Sequence, residues 1–473
     1  MALKRWAQSS AGMRRIELTG GVTAKMAQGS TSFTRVGEVL IDPTRATVFE
    51  LGWQSWSPAG SYAALATSAR PRRQIWQVMS FRPEVAPPAE GFQSEGVISI
   101  DPGNGDPMTL FAGIDVTKTV PTIRAVLRGD RLIVSSTEPI AVFQWPTAAA
   151  HDEAIAIWAD MVAAAFKVGT IPELAPGWCS WYYYWNQITD REIIRASEGL
   201  AKREIPAEVV QIDDGWQRAI GDWTPSERFG DFDRTVQILL QEGRRVGIWL
   251  APFIVGYDSE FCHTRSDWCV PNLSAGFNWG GEIGVLDLGQ ARVVQYLAET
   301  VERLRSKGID YFKLDYLYAG ALIPEGRSQR ETIANYRSSL SAIREAAGPD
   351  ATIIGCGAPL IPSIGLVDAM RISPDTSPGW EPPLGDLGQP GGRAAALGVR
   401  ARRALHGRFW VNDPDCLIVR PEVERRAELA ATIAASGGLV CSSDPPDRLD
   451  SWGLETTRRL MVPSSSRPIV ATP

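Results

Sequence analysis

The chain has 473 residues, of which 44% are hydrophobic and 22% charged, with a formal net charge of −6 at pH 7. These proportions are ordinary for a soluble globular protein, and the length corresponds to about three domains. The negative charge argues against a nucleic-acid partner, and the absence of an 18-residue apolar run argues against a membrane span. Residues 1–8 lack the apolar segment of a signal peptide, so we expect a cytoplasmic protein.

Cysteine and histidine give no indication of a metal site. The six cysteines match no zinc-binding spacing, and His151, His263 and His406 are far apart in the sequence. Cys262 and Cys269 are close enough to pair across a loop, but a cytoplasmic location favours free thiols. We therefore expect neither a metal ion nor an organic cofactor.

Residues 1–165 have the pattern of an antiparallel β domain. Gly and Pro punctuate short apolar runs, and strands are predicted at 15–18, 47–51, 97–100 and 131–134. The first helical period comes only at 151–166. We predict a β-sandwich for this domain.

Residues 170–445 show a different pattern, in which apolar strands alternate with helices. Eight strands are predicted, at 177–182, 209–213, 246–251, 311–315, 352–357, 369–373, 409–412 and 439–442. A capping box at 189–192 opens a helix through Leu200, residues 293–304 share an apolar helical face, and Pro421 to Gly437 bound another helix. Eight β/α repeats in order predict a (β/α)8 TIM barrel, an α/β fold.

Three segments depart from this repeat. The connection 253–286 is unusually long, and 358–367 is too short for a full helix. Residues 446–473 are too few for a third domain, and we expect them to form a short, poorly ordered tail.

Polar residues follow the predicted barrel strands at their carboxyl ends, where barrel enzymes have their active sites. They lie at 179–182, 213–216, 249, 313–315, 356, 371–375 and 412–415. One strand-end acid often caps a helix or binds turn amides. Polar residues at the ends of most of the strands need another explanation, because a barrel interior is normally filled with branched apolar side chains.

Two of these carboxylates, Asp315 and Asp375, suit glycosidic bond cleavage, which requires one group that attacks carbon and one that donates a proton. Lys313 is two residues before Asp315 and points the same way on a strand. It either bonds a sugar hydroxyl and keeps Asp315 ionised or forms a purely structural ion pair. Arg371 is placed to orient a carboxyl group or clamp a hydroxyl.

Further residues suit a sugar ligand. Asp213 and Asp214 are adjacent, which fits recognition of neighbouring sugar hydroxyls. Trp181 and Trp249 would pack on the apolar face of the ring. The 17 tryptophans outnumber the 14 phenylalanines and 10 tyrosines, which agrees with this. His263, in the long third connection, either lines the substrate entrance or lies on the surface.

Five motifs together resemble the signatures of glycoside hydrolase family 36, the microbial α-galactosidases of melibiase type. They are Gly52-Trp53-Gln54-Ser55-Trp56-Ser57, Gly177-Trp178-Cys179-Ser180-Trp181-Tyr182, Ile212-Asp213-Asp214-Gly215-Trp216-Gln217, Lys313-Leu314-Asp315-Tyr316 and Arg371-Ile372-Ser373-Pro374-Asp375-Thr376. The resemblance implies an amino-terminal β-supersandwich, whose loop reaches over the active site, and a retaining exo-α-galactosidase acting on oligosaccharides of the melibiose or raffinose type.

The resemblance also implies residue roles. Asp315 is the nucleophile and Asp375 the acid/base. The residues expected to hold the sugar are Asp213, Asp214, Lys313, Arg371, Trp181, Trp249, Trp56 and Cys356. Retention predicts that the two carboxyl groups lie about 5–5.5 Å apart.

The sequence leaves several alternatives open. Members of the family usually carry a carboxy-terminal antiparallel β domain, which we expect to be reduced or absent in this protein. The family includes α-N-acetylgalactosaminidases and raffinose-synthase-like galactosyl transferases, which the motifs do not separate. A carbohydrate-binding scaffold on the same fold is the alternative without catalysis. A homo-oligomer is also possible.

Overall fold

The computed structural model describes residues 14–16, 32–145 and 150–462. Within these ranges, no helix has both the length and the apolar character needed to cross a membrane.

The amino-terminal part is a sandwich of two antiparallel sheets. The strands are β1 (Arg14–Ile16), β2 (Thr34–Leu40), β3 (Thr47–Glu50), β4 (Gly60–Ala63), β5 (Phe92–Glu95), β6 (Val97–Asp101), β7 (Thr109–Ala112), β8 (Thr122–Arg128), β9 (Arg131–Ser136) and β10 (Ala141–Gln144). One sheet has the order β1-β10-β7-β6-β3-β4 and the other β2-β9-β8-β5. Buried apolar residues from both sheets form a common core, which confirms the predicted sandwich.

Six of these strands were missed in the sequence. Two of them, β5 and β7, have only four residues and both faces buried, so that no alternation is visible. The strand predicted at 15–18 is observed as β1, and residues 17 and 18 lie outside the described part of the chain.

The other half is a parallel eight-stranded barrel. Its strands are β11 (Gly177–Cys179), β12 (Val209–Ile212), β13 (Arg245–Leu250), β17 (Ile309–Leu314), β18 (Thr352–Gly355), β19 (Ala369–Arg371), β20 (Val411–Asp413) and β21 (Cys441–Ser442). The sheet order is β20-β19-β18-β17-β13-β12-β11-β21. A parallel bridge between Leu417, just after β20, and Ser442 in β21 closes the ring. The (β/α)8 barrel is confirmed.

Six of the eight barrel strands end earlier than predicted, whereas β20 ends one residue later and β21 ends as predicted. Residues 181 and 182, expected in the first strand, instead begin a short helix, and Asp315, expected as the last residue of its strand, directly follows it. Local hydrogen bonds explain this: the Asp315 carboxylate accepts from the backbone N–H of Tyr316, which has φ of 54°. The N–H of Tyr316 at the barrel mouth thus pairs with a side chain and not with a neighbouring strand.

Helices surround the barrel and join it to the sandwich. They are α1 (Gln77–Ser80), α2 (His151–Ala165), α3 (Trp181–Tyr184), α4 (Asp190–Lys202), α5 (Phe232–Gln241), α6 (Glu260–Thr264), α7 (Ala291–Arg305), α8 (Gln329–Ala347), α9 (Gly392–Arg402), α10 (Arg426–Ser436) and α11 (Ser451–Leu460). The helix expected from Pro421 begins only at Arg426, because Arg425 is in the left-handed region, and it ends at Gly437 as predicted.

Helix α2 lies between the two domains. Trp158 is fully buried, donates its indole N–H to the carbonyl of Gly113 in the sandwich (3.0 Å) and packs edge-on against Phe409 of the barrel. His151, at the start of the helix, bonds Thr47 and Ser99 in the sandwich. The two domains therefore share one continuous core.

The long connection 253–286 folds into a small antiparallel sheet. Its strands are β14 (Ile254–Gly256), β15 (Cys269–Asn278) and β16 (Gly281–Leu286), in the order β14-β16-β15. The β15–β16 hairpin turn, at residues 279 and 280, reaches the barrel mouth. The short connection 358–367 contains only the 3-10 turn Ile361–Ser363, as expected from its length.

The expectation of a poorly ordered tail is wrong for residues 451–460, which form α11. Asp450 caps this helix by accepting the N–H of Gly453 (2.8 Å), and Leu460 and Met461 are buried in the core. Among the described residues, no strand follows β21. Residues 463–473 lie outside the described part.

Leu460→Ala should destabilise the protein by about 2–5 kcal/mol, because a buried leucine is replaced by a cavity. The change is measured by urea unfolding. Glu455→Ala, on the exposed side of the same helix, is the matched control and should leave stability nearly unchanged. Equal stabilities of the two variants would contradict the packing of α11 onto the barrel.

Candidate active site

A pocket of about 330 Å³ opens at the carboxyl ends of the barrel strands. Its lining residues are Trp56, Trp181, Asn186, Asp213, Asp214, Trp249, Asn278, Trp279, Gly280, Lys313, Asp315, Tyr316 and Asp375. Eight of the ten predicted site residues are among them, and Arg371 and Cys356 are not. The predicted set is thus largely brought together in one concave site.

Asp315 is held by two donors. Its Oδ1 accepts the backbone N–H of Tyr316 (2.8 Å), and its Oδ2 accepts the indole N–H of Trp249 (3.1 Å). Trp249 therefore contacts Asp315 with its polar edge, while its ring lies against Trp223 and Trp279. Donors to both oxygens fix the orientation of the carboxylate.

Lys313 forms an ion pair with Asp213 at 2.9 Å, and both side chains are buried. Burial lowers the pKa of Lys313, but the Asp213 carboxylate outweighs this and the net pKa is raised. Asp213 Oδ2 also accepts from Gln211 (2.5 Å) and from the Cys179 thiol (3.2 Å). Lys313 is thus paired with Asp213, but it still lines the pocket and keeps a positive charge there.

Asp214 is hydrogen-bonded by Trp279 of the β15–β16 hairpin, a segment that the sequence did not predict to be part of the site. It accepts from Gln217 (2.6 Å) and from the indole N–H of Trp279 (2.8 Å), at the turn of the β15–β16 hairpin. Asn278 donates to the Tyr316 hydroxyl (2.6 Å). The sequence did contain one indication of this contact, because Trp279 is a large aromatic residue directly before Gly280 and Gly281 in a predicted loop.

Asp375 lies beside a group of buried charges. Arg371 contacts the carboxylates of Asp375 (3.1 Å), Asp413 (3.3 Å) and Asp415 (2.7 Å). Burial raises the pKa of Asp375 to about 7, and the Asp415 carboxylate adds to this while Arg371 opposes it. Arg371 does not line the pocket, so it orients carboxyl groups, which is one of its two predicted roles. Clamping of a hydroxyl by Arg371 does not fit this position.

Trp56 enters the pocket from the sandwich. Its ring packs edge-on against Tyr316 at 5.1 Å and Tyr318 at 5.9 Å. It also approaches Gly357, whose φ is +50° and where a Cβ atom would lie 3.0 Å from the indole. A glycine is required there for both reasons. The predicted loop over the barrel mouth is therefore present.

Cys356 lies behind the pocket and does not line it, so direct sugar contact does not fit its position. Burial raises its pKa well above the usual value, which makes it an unreactive thiol. All six cysteines are free, including Cys262 and Cys269. His263 donates its Nδ1–H to the Ser259 carbonyl (2.7 Å) and does not line the pocket. In the described ranges, no cluster of three or more His, Cys, Asp or Glu has the geometry of a metal site.

Comparison with protein families identifies one match. A sequence profile described as Melibiase matches residues 151–344, which run from the start of α2 to near the end of α8. This range includes Asp213, Asp214, Lys313 and Asp315, and it stops before Asp375.

Curated α-galactosidases are similar in sequence to part of the chain. The chain is 29% identical to α-galactosidase AgaA from Geobacillus stearothermophilus over 203 residues, which are 39% of this chain and 27% of that protein. It is 25% identical to α-galactosidase 1 from Pediococcus pentosaceus over 185 residues, which are 36% of this chain and 25% of that protein. The match therefore spans about a quarter of the length of each relative.

Solved structures match over a much larger share of the chain. An α-galactosidase from Thermus thermophilus, in complex with p-nitrophenyl α-D-galactopyranoside, has a TM-score of 0.78 and 28% identity, covering 95% of this chain and 94% of that chain. The same enzyme in complex with stachyose has a TM-score of 0.77. The family 36 α-galactosidase AgaA from Geobacillus stearothermophilus has a TM-score of 0.60 at 14% identity, covering 92% and 63%, and shares the fold.

The raised pKa of Asp375 predicts a pH-dependent effect on stability. The folded protein holds this proton up to about pH 7, whereas an unfolded chain releases it near 3.8, so the group's contribution to stability falls as pH rises between these values. Asp375→Asn should therefore be more stable than wild type above pH 7, by on the order of 3 kcal/mol, with no difference near pH 4. Urea unfolding at several pH values measures it.

Asp287→Asn is the control of opposite sign. Burial raises the pKa of Asp287, but hydrogen bonds from Arg327 outweigh this and the net pKa is lowered. This carboxylate stabilises the fold above its unfolded pKa, so its amide should be less stable than wild type at pH 7. Lower stability of Asp375→Asn at pH 8 would contradict the electrostatic description of the site.

Proposed function

From the chain's membership of glycoside hydrolase family 36, we propose that it is a retaining exo-acting α-galactosidase that removes terminal α-linked galactose from oligosaccharides. One observation carries this proposal. Asp315 and Asp375 line the same pocket in different electrostatic surroundings, and burial raises the pKa of Asp375 to about 7. A nucleophile and a proton donor need this difference.

In the first step, a carboxylate oxygen of Asp315 attacks the anomeric carbon while the bond from that carbon to the leaving oxygen breaks. Asp375 gives its proton to the leaving oxygen, and a β-galactosyl ester of Asp315 forms. The N–H groups of Tyr316 and Trp249 hold the attacking carboxylate in place. A pKa of about 7 keeps a large part of Asp375 protonated near neutral pH.

In the second step, the ionised Asp375 takes a proton from water, and the water oxygen attacks the anomeric carbon. The ester bond to Asp315 breaks and α-galactose leaves, with both carboxyl groups restored to their starting states. The same group acts as acid and then as base, which a pKa near the working pH favours.

The remaining lining residues suit the sugar. Lys313, Asp213 and Asp214 offer a cation and two carboxylates to its hydroxyls, and Trp181 and Trp56 offer ring faces. The Thermus enzyme was solved with stachyose, and we propose galactosyl oligosaccharides of this kind as substrates. The alternatives are an α-N-acetylgalactosaminidase, a galactosyl transferase and a carbohydrate-binding scaffold without catalysis.

A panel of p-nitrophenyl α-glycosides tests the proposal. We expect the wild type to release p-nitrophenol fastest from the α-galactoside, and Asp315→Ala to lose activity by about 10⁴-fold or more with an unchanged unfolding curve. Preference for the N-acetylgalactosaminide would reassign the sugar, and oligosaccharide products at high acceptor concentration would indicate transfer. A folded wild type that releases nothing would favour the scaffold.

Azide separates the two carboxyl roles. With Asp315→Gly, azide should restore turnover and give the β-galactosyl azide, because it attacks from the side that the nucleophile vacates. With Asp375→Gly, azide should give the α-galactosyl azide from the normal intermediate. The reverse pattern of products would exchange the roles of the two residues.

The pH dependence of kcat/KM should show an alkaline limb near pH 7, because the free enzyme needs Asp375 protonated. Asp415→Asn removes a negative charge beside Asp375 and should move this limb to lower pH by about one unit. An unmoved limb, or one that moves upward, would mean that Asp375 is not the group observed.

A further inference from the structure

Arg402, the last residue of α9, is a fully buried cation without a carboxylate partner among the described residues. Burial lowers its pKa to about 9, so the guanidinium is still charged at neutral pH. A buried charge is costly unless other groups compensate it. The proposed catalytic steps do not use this residue, so it requires a separate explanation.

Backbone carbonyls take the place of the missing carboxylate. Arg402 donates to the carbonyls of Gln54 (2.9 Å), Ser55 (3.4 Å) and Ser57 (2.7 Å), all in the sandwich loop that carries Trp56. A fourth bond goes to the carbonyl of Ile372 (2.9 Å), directly after β19. One planar guanidinium therefore joins the loop to the barrel segment that leads to Asp375.

Two other barrel contacts hold the same loop. Ser55 Oγ accepts from the N–H of Gly357 (3.3 Å), and the carbonyl of Trp53 accepts from the N–H of Leu360 (2.9 Å). The loop thus remains attached to the barrel without Arg402, but the carbonyls on both sides of Trp56 lose their donor. The expected result is a displaced loop and not an unfolded one.

Trp56 is the part of this loop that reaches the pocket. Its ring rests on Tyr316 and Tyr318. Tyr316 has further support from Asn278 and from the ring of Trp279, so the N–H that it donates to Asp315 does not depend on Trp56 alone. A shift of the loop should therefore affect the wall of the pocket more than the Asp315 carboxylate.

We propose that Arg402 is a positioning residue, which holds the Trp56 ring at the distance from the pocket floor that sugar binding requires. This inference rests on the proposed glycosidase function. It assigns a role in substrate affinity to a side chain that contacts neither the pocket nor the two carboxyl groups.

Arg402→Lys keeps the charge but offers fewer donors, and Arg402→Gln is neutral and bonds fewer carbonyls. For both, we expect KM to rise about tenfold while kcat changes less than about twofold, because binding contacts are lost in ground and transition states alike. KM is measured with the aryl glycoside that the wild type cleaves fastest, so a wrong assignment of the sugar does not affect the comparison.

A double-mutant cycle with Trp56→Ala separates positioning from general stability. In the Trp56→Ala background, Arg402→Lys should leave KM within about twofold, because the ring that it positions is absent. Arg344→Lys is the matched control, since Arg344 binds Asp368 and the Ala351 carbonyl at the opposite end of the barrel. It should lower the melting temperature without changing KM.

Three results would overturn the proposal. The first is an equal rise in KM in both backgrounds. The second is a fall in kcat with unchanged KM. The third is failure of both Arg402 variants to fold, which would make Arg402 a residue on which the fold, and not the pocket, depends.

Discussion

Arg371 lies among three carboxylates at the barrel mouth, and the site depends on this group of buried charges. The carboxylates of Asp413 and Asp415 are buried and that of Asp375 is partly exposed, and together the three repel one another. One guanidinium offsets part of the repulsion. Burial is the main reason that the pKa of Asp375 is raised to about 7, and the Asp415 carboxylate adds to this, which suits Asp375 to its proposed role as the proton donor.

The same principle divides the pocket into two sides. Lys313 and Asp213 form a buried ion pair on the side of β12 and β17, and Asp315 receives two N–H donors beside them. Asp375 instead has a second carboxylate, Asp415, close to its Arg371 partner. Burial and the neighbouring Asp415 carboxylate favour the protonated form of Asp375. The two carboxyl groups therefore lie in different surroundings, which fits the different roles proposed for them.

The barrel does not complete the pocket by itself. Trp56 comes from the sandwich, and Asn278 and Trp279 come from the hairpin in the third connection. Both segments are attached through polar contacts, by Arg402 in one case and by Asp214 in the other. Arg402 and Asp214, which take no part in the two proposed catalytic steps, thus determine the positions of the Trp56 and Trp279 rings in the pocket.

The sequence determined the alternation of eight strands and helices and the acids at the strand ends, because periodicity and strand-end placement are local properties. Asp213, Asp214, Lys313, Asp315 and Asp375 were found in this way. Only the tertiary structure decided that Lys313 pairs with Asp213, that Trp249 directs its N–H at Asp315, and that Trp279 and Arg402 belong with the site. Electrostatic energies depend on distances and burial in three dimensions, and the residues that interact are up to several hundred positions apart in the sequence. Spacing along the chain therefore does not predict these energies.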